Sequence, residues 1–192
     1  MKYAKIFLLL AIAAVVPAAL AATATATTIT SPTGTSYTGS IHAESEGPVT
    51  FHSELIAISC EKSTLASFEE THSNTGTAHG PVTTLDFSEC TDTVTVLAGG
   101  KLEMHRVASG GTLTSTGLKL TTHGIFGIPC EFTTNNTDIG NLTDSHHSGR
   151  TEATLDIDSS LVPRTGDSAF CGGFGEWTGS YTVTTPTMLY ID

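Results

Sequence analysis

Apolar and polar residues alternate with a period of two along most of the chain after residue 35. Around Leu155 and Ile157, for example, the apolar residues alternate with Asp156 and Asp158. This period is typical of β-strands, in which successive side chains point to opposite faces of a sheet. Gly, Pro, Asn and Asp interrupt the pattern about every 8–12 residues, as expected for turns between short strands.

About ten short strands with tight turns predict a single all-β domain over residues 35–192. We expect a β-sandwich or jelly-roll of antiparallel strands with two disulfides, and a small closed β-barrel is the alternative. Residues 22–34 are rich in Ala and Thr and are expected to form a low-complexity lead-in.

Two local patterns predict more detailed features. The apolar residues change parity between Leu55 and Ile56, which indicates a β-bulge within one strand. The turn residues in "AGGK" separate strands in "DTVTVLAGG" and "KLEMHRV", which predicts that these two strands pair as a hairpin.

The N-terminal residues 1–21 have the parts of a secretory signal peptide. Lys2 and Lys5 precede an apolar run at 6–16, and the small-residue pattern Ala19-Leu20-Ala21 follows. The run is shorter than the roughly 20 residues of a membrane-spanning helix. We therefore expect an exported protein in the periplasm, on the cell surface or outside the cell.

Four cysteines in an exported chain favour two disulfides. Sequential pairing, Cys60 with Cys90 and Cys130 with Cys171, is the preferred arrangement because it cross-links each half of the chain separately. The other two pairings remain open at this stage.

The charge of the chain argues against nucleic acid as a partner. Of the eight basic side chains, Lys2 and Lys5 lie in the predicted signal peptide, so six remain against 19 acidic ones, a net charge of −13. Nucleic acids and anionic lipid surfaces bind through Lys and Arg, and such a polyanion repels both.

Candidate metal ligands occur in two places. Asp144, His146 and His147 in "DSHHSGR" can share a metal only if the stretch is a loop, because neighbouring strand residues face opposite sides. A surface role of these His residues is the preferred interpretation, so no metal site is predicted.

Ca²⁺ is the one cofactor for which the sequence offers clustered oxygen donors, on Asp86, Glu89 and Asp92 around a cysteine. Their spacing matches no defined calcium loop. Asp156 and Asp158 have the residue types of a glycosidase pair, but their alternation with apolar residues places them on a solvated outer face. With no nucleophile or nucleotide-binding motif either, we expect a non-enzymatic protein.

The final stretch, "GEWTGSYTVTTPTMLYID", contains the only Trp. Trp177 and Tyr181 share the apolar face, whereas Met188 and Tyr190 lie on the other face. Pro186 marks an edge position or a corner at which the strand leaves one sheet for another. The candidate ligand-binding residues are Tyr190, Met188 and Trp177.

The stretches "ISCEKSTLASF", "TTLDFSECTDTVTVLAGGKLEMH", "IPCEFTTNNTDIGNLT" and "GEWTGSYTVTTPTMLYI" resemble exported bacterial four-Cys β-rich proteins of unassigned function. A weaker likeness, in "SPTGTSYTG", is to secreted alkane-oxidation activator proteins. The resemblance implies export and a β-rich fold and maps no catalytic residue onto this chain.

Two functions fit these expectations. The first is a non-enzymatic protein acting at or outside the cell envelope, in a surface, matrix or adhesion role, with an envelope or extracellular polymer or protein as its partner. The second is a carbohydrate or small apolar ligand-binding module, in which an aromatic side chain contacts the ligand.

The disulfides give a first testable prediction. Mass spectrometry of the non-reduced protein should show four fewer hydrogens than the reduced protein, one from each thiol. Free thiols in the native protein would remove the argument for two disulfides.

Overall fold

The computed structural model describes residues 27–68, 71–72, 77–123, 125–163 and 168–192, so the predicted signal peptide lies outside the described residues. Within these ranges nearly all of the regular secondary structure is β-strand. The strands are β1 (Ile29–Thr30), β2 (Ser40–Ser45), β3 (Val49–His52), β4 (Ala57–Phe68), β5 (Thr71–His72), β6 (Thr77–Cys90), β7 (Val94–Ala98), β8 (Lys101–Val107), β9 (Gly110–Thr116), β10 (Lys119–His123), β11 (Pro129–Thr133), β12 (Thr137–Thr143), β13 (Thr154–Pro163), β14 (Gly175–Thr185) and β15 (Tyr190–Ile191). The helices are a 3-10 turn at Ile125–Gly127 and α1 (Ser168–Cys171). None of the described helices is long and apolar enough to cross a membrane.

Eight strand positions close into an antiparallel barrel, so the preferred expectation of a sandwich is wrong and the alternative of a closed barrel is confirmed. The ring runs β4, β6, β8, β9, β12, β13, β14 and then a position shared by β2 and β3. Both β2 and β3 pair with β14 on one side and with β4 on the other, which completes the ring. The ring follows chain order, and alternation alone does not distinguish such a meander from two stacked sheets.

The alternation along each strand separates the inside of the barrel from its outside. On β13, Leu155, Ile157 and Leu161 are buried, whereas Asp156 and Asp158 are exposed, as the sequence predicts. Their burial contributes the hydrophobic stabilisation of the barrel, because closure removes the inner face of every strand from water.

A small second sheet attaches to the end of β13. It runs β7, β10, β11 and contacts β13 at Val162 and Pro163. β7 therefore pairs with β10 and not with β8, and the predicted hairpin is wrong. Gly100 instead connects the two sheets, and its carbonyl accepts a hydrogen bond from Val82 N–H at 2.9 Å.

Both predicted disulfides are confirmed, Cys60–Cys90 and Cys130–Cys171. Cys60 and Cys90 lie directly opposite each other on β4 and β6. Cys171, in α1, connects to β11 through Cys130. Ser53 Oγ donates a hydrogen bond to Cys171 O at 2.9 Å, which places α1 against the turn before β4.

The same turn corrects the expected β-bulge at Leu55–Ile56. β3 ends at His52 and β4 begins at Ala57, and Ser53 N–H donates to Ile56 O at 2.7 Å across the turn. The change of parity therefore marks a reversal of the chain, because Phe51 and Ile58 on the two strands both point into the barrel.

The first and last strands form a separate two-stranded sheet, β1 with β15, which we call the ribbon. β14 ends at Thr185, next to Pro186, and the chain then leaves the barrel, so Pro186 marks the corner that the sequence predicts. Residues 27–34, expected as a lead-in, contribute Ile29 to the ribbon, where its side chain is buried.

Gly140 occupies a position that other residues fill only with strain. Its φ is +151°, and a Cβ built there would lie 1.9 Å from Asp156 O on the neighbouring strand. The register of β12 against β9 shifts at this point. The glycine thus lets β12 bend while remaining hydrogen-bonded to β13.

We predict that Gly140→Ala lowers the free energy of unfolding by at least about 2 kcal/mol, because it adds backbone strain and a clash. Urea unfolding measures the effect. Gly47→Ala is the matched control, because its Cβ would meet nothing within 4 Å. Equal stabilities of the two variants would contradict the packing described for β12.

Candidate functional site

The feature best suited to bind another molecule is an apolar cavity of about 70 Å³ at one end of the barrel. Every position of the ring contributes to its wall, and β1 contributes from the ribbon. The wall residues are Ile29, Ile41, Ala43, Leu65, Ser67, Ala78, His79, Gly80, Leu102, Met104, Leu113, Leu142, Leu155 and Val183.

Apolar atoms form nearly all of the cavity surface. The hydroxyl of Ser67 is engaged elsewhere, since it donates to Pro81 O at 3.0 Å. His79 lies opposite Glu103 in the β6–β8 ladder. Lys101, by a hydrogen bond, holds the pKa of Glu103 below its usual range, and His79 adds a smaller electrostatic effect. Because none of the wall residues is Asp, Glu, Lys or Arg, the wall offers no carboxylate or ammonium partner to a charged ligand.

We call a buried hydrogen bond beneath the cavity its floor, because Tyr181 and Ser63 each lie two residues along their strands from the wall residues Val183 and Leu65. Tyr181 OH donates to Ser63 Oγ at 3.0 Å, across the barrel interior from β14 to β4. Tyr181 is fully buried, and burial raises its pKa to about 12. The Ser63 hydroxyl and the nearby Trp177 indole act in the opposite direction, although Trp177 Nε1 is not aligned for a full hydrogen bond.

Below this floor an aromatic cluster fills the barrel. The ring centroids of Phe51 and Phe87 are 4.8 Å apart in an edge-to-face arrangement, and Trp177 stacks 6.1 Å from Phe51. Such pairs stabilise beyond their buried area. The aromatic cluster thus occupies the half of the barrel away from the ribbon, where the hollow beside Phe51 measures only about 10 Å³.

The three predicted ligand-binding residues, Trp177, Met188 and Tyr190, lie in different parts of the structure. Trp177 is 1% exposed and belongs to the aromatic cluster. Met188 and Tyr190 are half-buried, and the Tyr190 ring stacks on His146 with centroids 4.0 Å apart. The structure does not bring these three residues together.

The "DSHH" motif forms a tight turn after β12. Asp144 Oδ1 accepts hydrogen bonds from the backbone N–H of His146 and of His147, both at 3.0 Å, and contacts His147 Nδ1 at 2.7 Å. The His146 ring turns away onto Tyr190. Among the described residues, no group of three or more His, Cys, Asp or Glu side chains could hold a metal ion.

Three of the five acidic residues considered for Ca²⁺ or catalysis contact other groups, Glu89, Asp92 and Asp156. Lys62 forms an ion pair with Glu89. Asp92 accepts from Thr93 N–H at 2.6 Å and lies 3.2 Å from His123 Nδ1, and both contacts lower its pKa. On the outer face, Ser180 Oγ donates to Asp156 at 2.7 Å.

Sequence reasoning missed two features. The first is the cavity, whose wall residues look like ordinary core positions in the sequence. The second is a set of exposed aromatic side chains next to the Cys130–Cys171 disulfide in sequence. Phe126 is 90% exposed, Phe170 46% and Phe174 44%. Their flanking Gly residues were a signal that these stretches are loops.

Comparison with known proteins finds no match to a family model, a curated protein or a solved structure. The resemblances drawn from the sequence therefore remain predictions.

We predict that Tyr181→Phe lowers the free energy of unfolding by about 1 kcal/mol at neutral pH, because Ser63 loses its donor. The raised pKa adds a pH dependence. Above pH 10 unfolded Tyr181 ionises while the folded side chain stays neutral, so wild-type stability falls as pH rises towards 12, by up to about 3 kcal/mol.

Denaturant unfolding between pH 8 and pH 11 measures this effect, and the difference between wild type and Tyr181→Phe isolates it from other groups. The difference should shrink above pH 10 and then change sign. Parallel stability curves would show that Tyr181 is not buried as a neutral hydroxyl.

Proposed function

We propose that this protein binds a small, uncharged, apolar molecule in the cavity of the barrel. The single observation that supports this function is a hollow with an almost wholly apolar wall in a barrel whose other half is tightly filled. Apolar cavities stay dry and attract apolar ligands, because a ligand regains the dispersion contacts that an empty wall lacks.

The composition of the wall defines the ligand class. A carboxylate or ammonium group would lose its hydration without gaining a partner, which costs several kcal/mol. Sugars carry many hydroxyls that the wall could not satisfy. Of the two ligand classes predicted from the sequence, the cavity therefore favours the small apolar molecule over the carbohydrate.

The volume of the cavity limits both the size of a ligand and its affinity. At about 70 Å³ the cavity corresponds to roughly five water-sized spaces, so it suits a molecule of about five or six non-hydrogen atoms. The best small ligands gain about 1.5 kcal/mol per such atom, which limits Kd to roughly the low-micromolar range.

Export remains a prediction that fits this function. The two disulfides are typical of proteins outside the cytoplasm. A non-enzymatic binding protein in the periplasm or outside the cell would meet apolar molecules before they reach the cytoplasm.

A surface, matrix or adhesion role is the second candidate. The observation that favours it is the exposure of Phe126, Phe170 and Phe174, since large exposed apolar side chains are common at protein contacts. These side chains lie on segments joined by the Cys130–Cys171 disulfide and are not part of the cavity wall. The two roles can therefore be tested separately.

We predict that pentane and benzene bind saturably and shift the methyl NMR signals of cavity residues such as Met104 and Leu113. Propanoate, which has as many non-hydrogen atoms as pentane, should bind at least tenfold more weakly, because the wall contains no Lys or Arg to pair with its carboxylate. Ala78→Leu should abolish binding, since three added carbon atoms occupy the cavity.

Ala57→Leu is the matched control, because Ala57 lies on β4 with its side chain exposed. It should bind as the wild type does. Equal binding by Ala78→Leu and wild type, or no saturable binding of either hydrocarbon, would contradict the proposed function.

A further inference from the structure

The ribbon covers the end of the barrel at which the cavity lies. Ile29 on β1 is part of the cavity wall, and every other wall residue comes from the ring of barrel strands. The opposite direction is blocked by the Tyr181–Ser63 hydrogen bond and the aromatic cluster beneath it. A ligand reaching the cavity through the end of the barrel must therefore pass the ribbon.

The ribbon is not part of the barrel ladder. β1 and β15 pair with each other, and in the described ranges neither pairs with a strand of the ring. Their pairing continues outward, where the backbones of Thr28 and Asp192 exchange two hydrogen bonds of 2.8 and 2.9 Å. The two strands can thus move together without breaking a barrel strand pair.

Apolar burial and a few hydrogen bonds hold the ribbon to the barrel, since Ile29, Leu189 and Ile191 are all buried in the core. Ser145 N–H donates to Leu189 O at 2.9 Å, and Leu189 N–H donates to Ser145 Oγ at 3.0 Å. His146 adds its stack on Tyr190. On the other side, Arg106 N–H donates to Thr27 Oγ1 at 3.1 Å.

The turn that carries Ser145 and His146 is itself rigid. Asp144 is 3% exposed. Its carboxylate accepts hydrogen bonds from the backbone N–H groups of His146 and His147. Its backbone carbonyl accepts hydrogen bonds from the N–H groups of His147 and Ser148. The motif that suggested metal ligands in the sequence thus presents a fixed hydroxyl and a fixed ring to the ribbon. We call residues 144–148 the latch.

We propose that the ribbon is a movable cover of the cavity, held shut by the latch, and that ligands enter and leave when the ribbon lifts. This inference rests on the proposed binding function and concerns the control of the same site. It assigns Ser145 and His146 as positioning residues, because neither is part of the cavity wall.

Ligand exchange tests the cover. The probe is 1-fluorobutane, which has five non-hydrogen atoms, and ¹⁹F NMR measures its association and dissociation rates. Ser145→Ala removes one hydrogen bond to the ribbon and should raise both rates about fivefold with Kd unchanged, because the open form becomes more populated. Ser180→Ala is the matched control, since Ser180 is exposed on the outside of the barrel and donates one hydrogen bond.

A tether gives the opposite change. The double variant Thr27→Cys with Arg106→Cys places two cysteines where Arg106 N–H now donates to Thr27 Oγ1. When these cysteines are oxidised to a disulfide, both exchange rates of the ligand should fall at least tenfold. Arg106→Cys alone should exchange as the wild type does, because it keeps the backbone N–H that donates to Thr27 Oγ1. Exchange rates that are unchanged in both the oxidised tether variant and Ser145→Ala would overturn the proposal.

Hydrogen exchange tests ribbon motion without a ligand. The amides of Thr28 and Asp192 should exchange at least a hundredfold faster than barrel amides, and the tether should slow them. If 1-fluorobutane does not bind the wild type, the proposed function fails, while this measurement still decides whether the ribbon opens by itself. Exchange of ribbon and barrel amides at equal rates would refute the cover.

Discussion

Closure of the ring is the constraint on which the rest of this structure depends. The segment formed by β2 and β3 must bond to β14 and β4 at once, and these strands are far apart in the chain. Once the ring is closed, each strand has one inner and one outer face, which fixes the positions of Trp177 and Tyr181. Closure also encloses the cavity, because its wall residues come from every position of the ring.

Much of the local structure could be predicted from the sequence, because alternation reports directly which side chains share a face. The burial of Trp177, the exposure of Asp156 and the corner at Pro186 follow from that pattern. Strand partners do not follow from it. The pairing of Val183 with Ala43 depends on contacts between distant segments, so barrel and sandwich looked alike.

The candidate site was harder to predict for a physical reason. A cavity is empty space between side chains from eight strand positions, so no single wall residue, such as Leu142 or Met104, reveals it in the sequence. The "DSHH" motif was visible in the sequence, but its residue types fit more than one local structure. His and Asp side chains serve metals and tight turns equally well, and only the position of Tyr190 shows which contact His146 makes.

The placement of the disulfides gives the molecule two mechanically different ends. Cys60–Cys90 joins strands at the level of the aromatic cluster, and Cys130–Cys171 fastens the second sheet below it. Neither cross-link includes a residue of the ribbon or of the cavity wall. The covalent cross-links thus lie away from the end that contains the cavity. That end depends on non-covalent contacts, which thermal motion can break and remake.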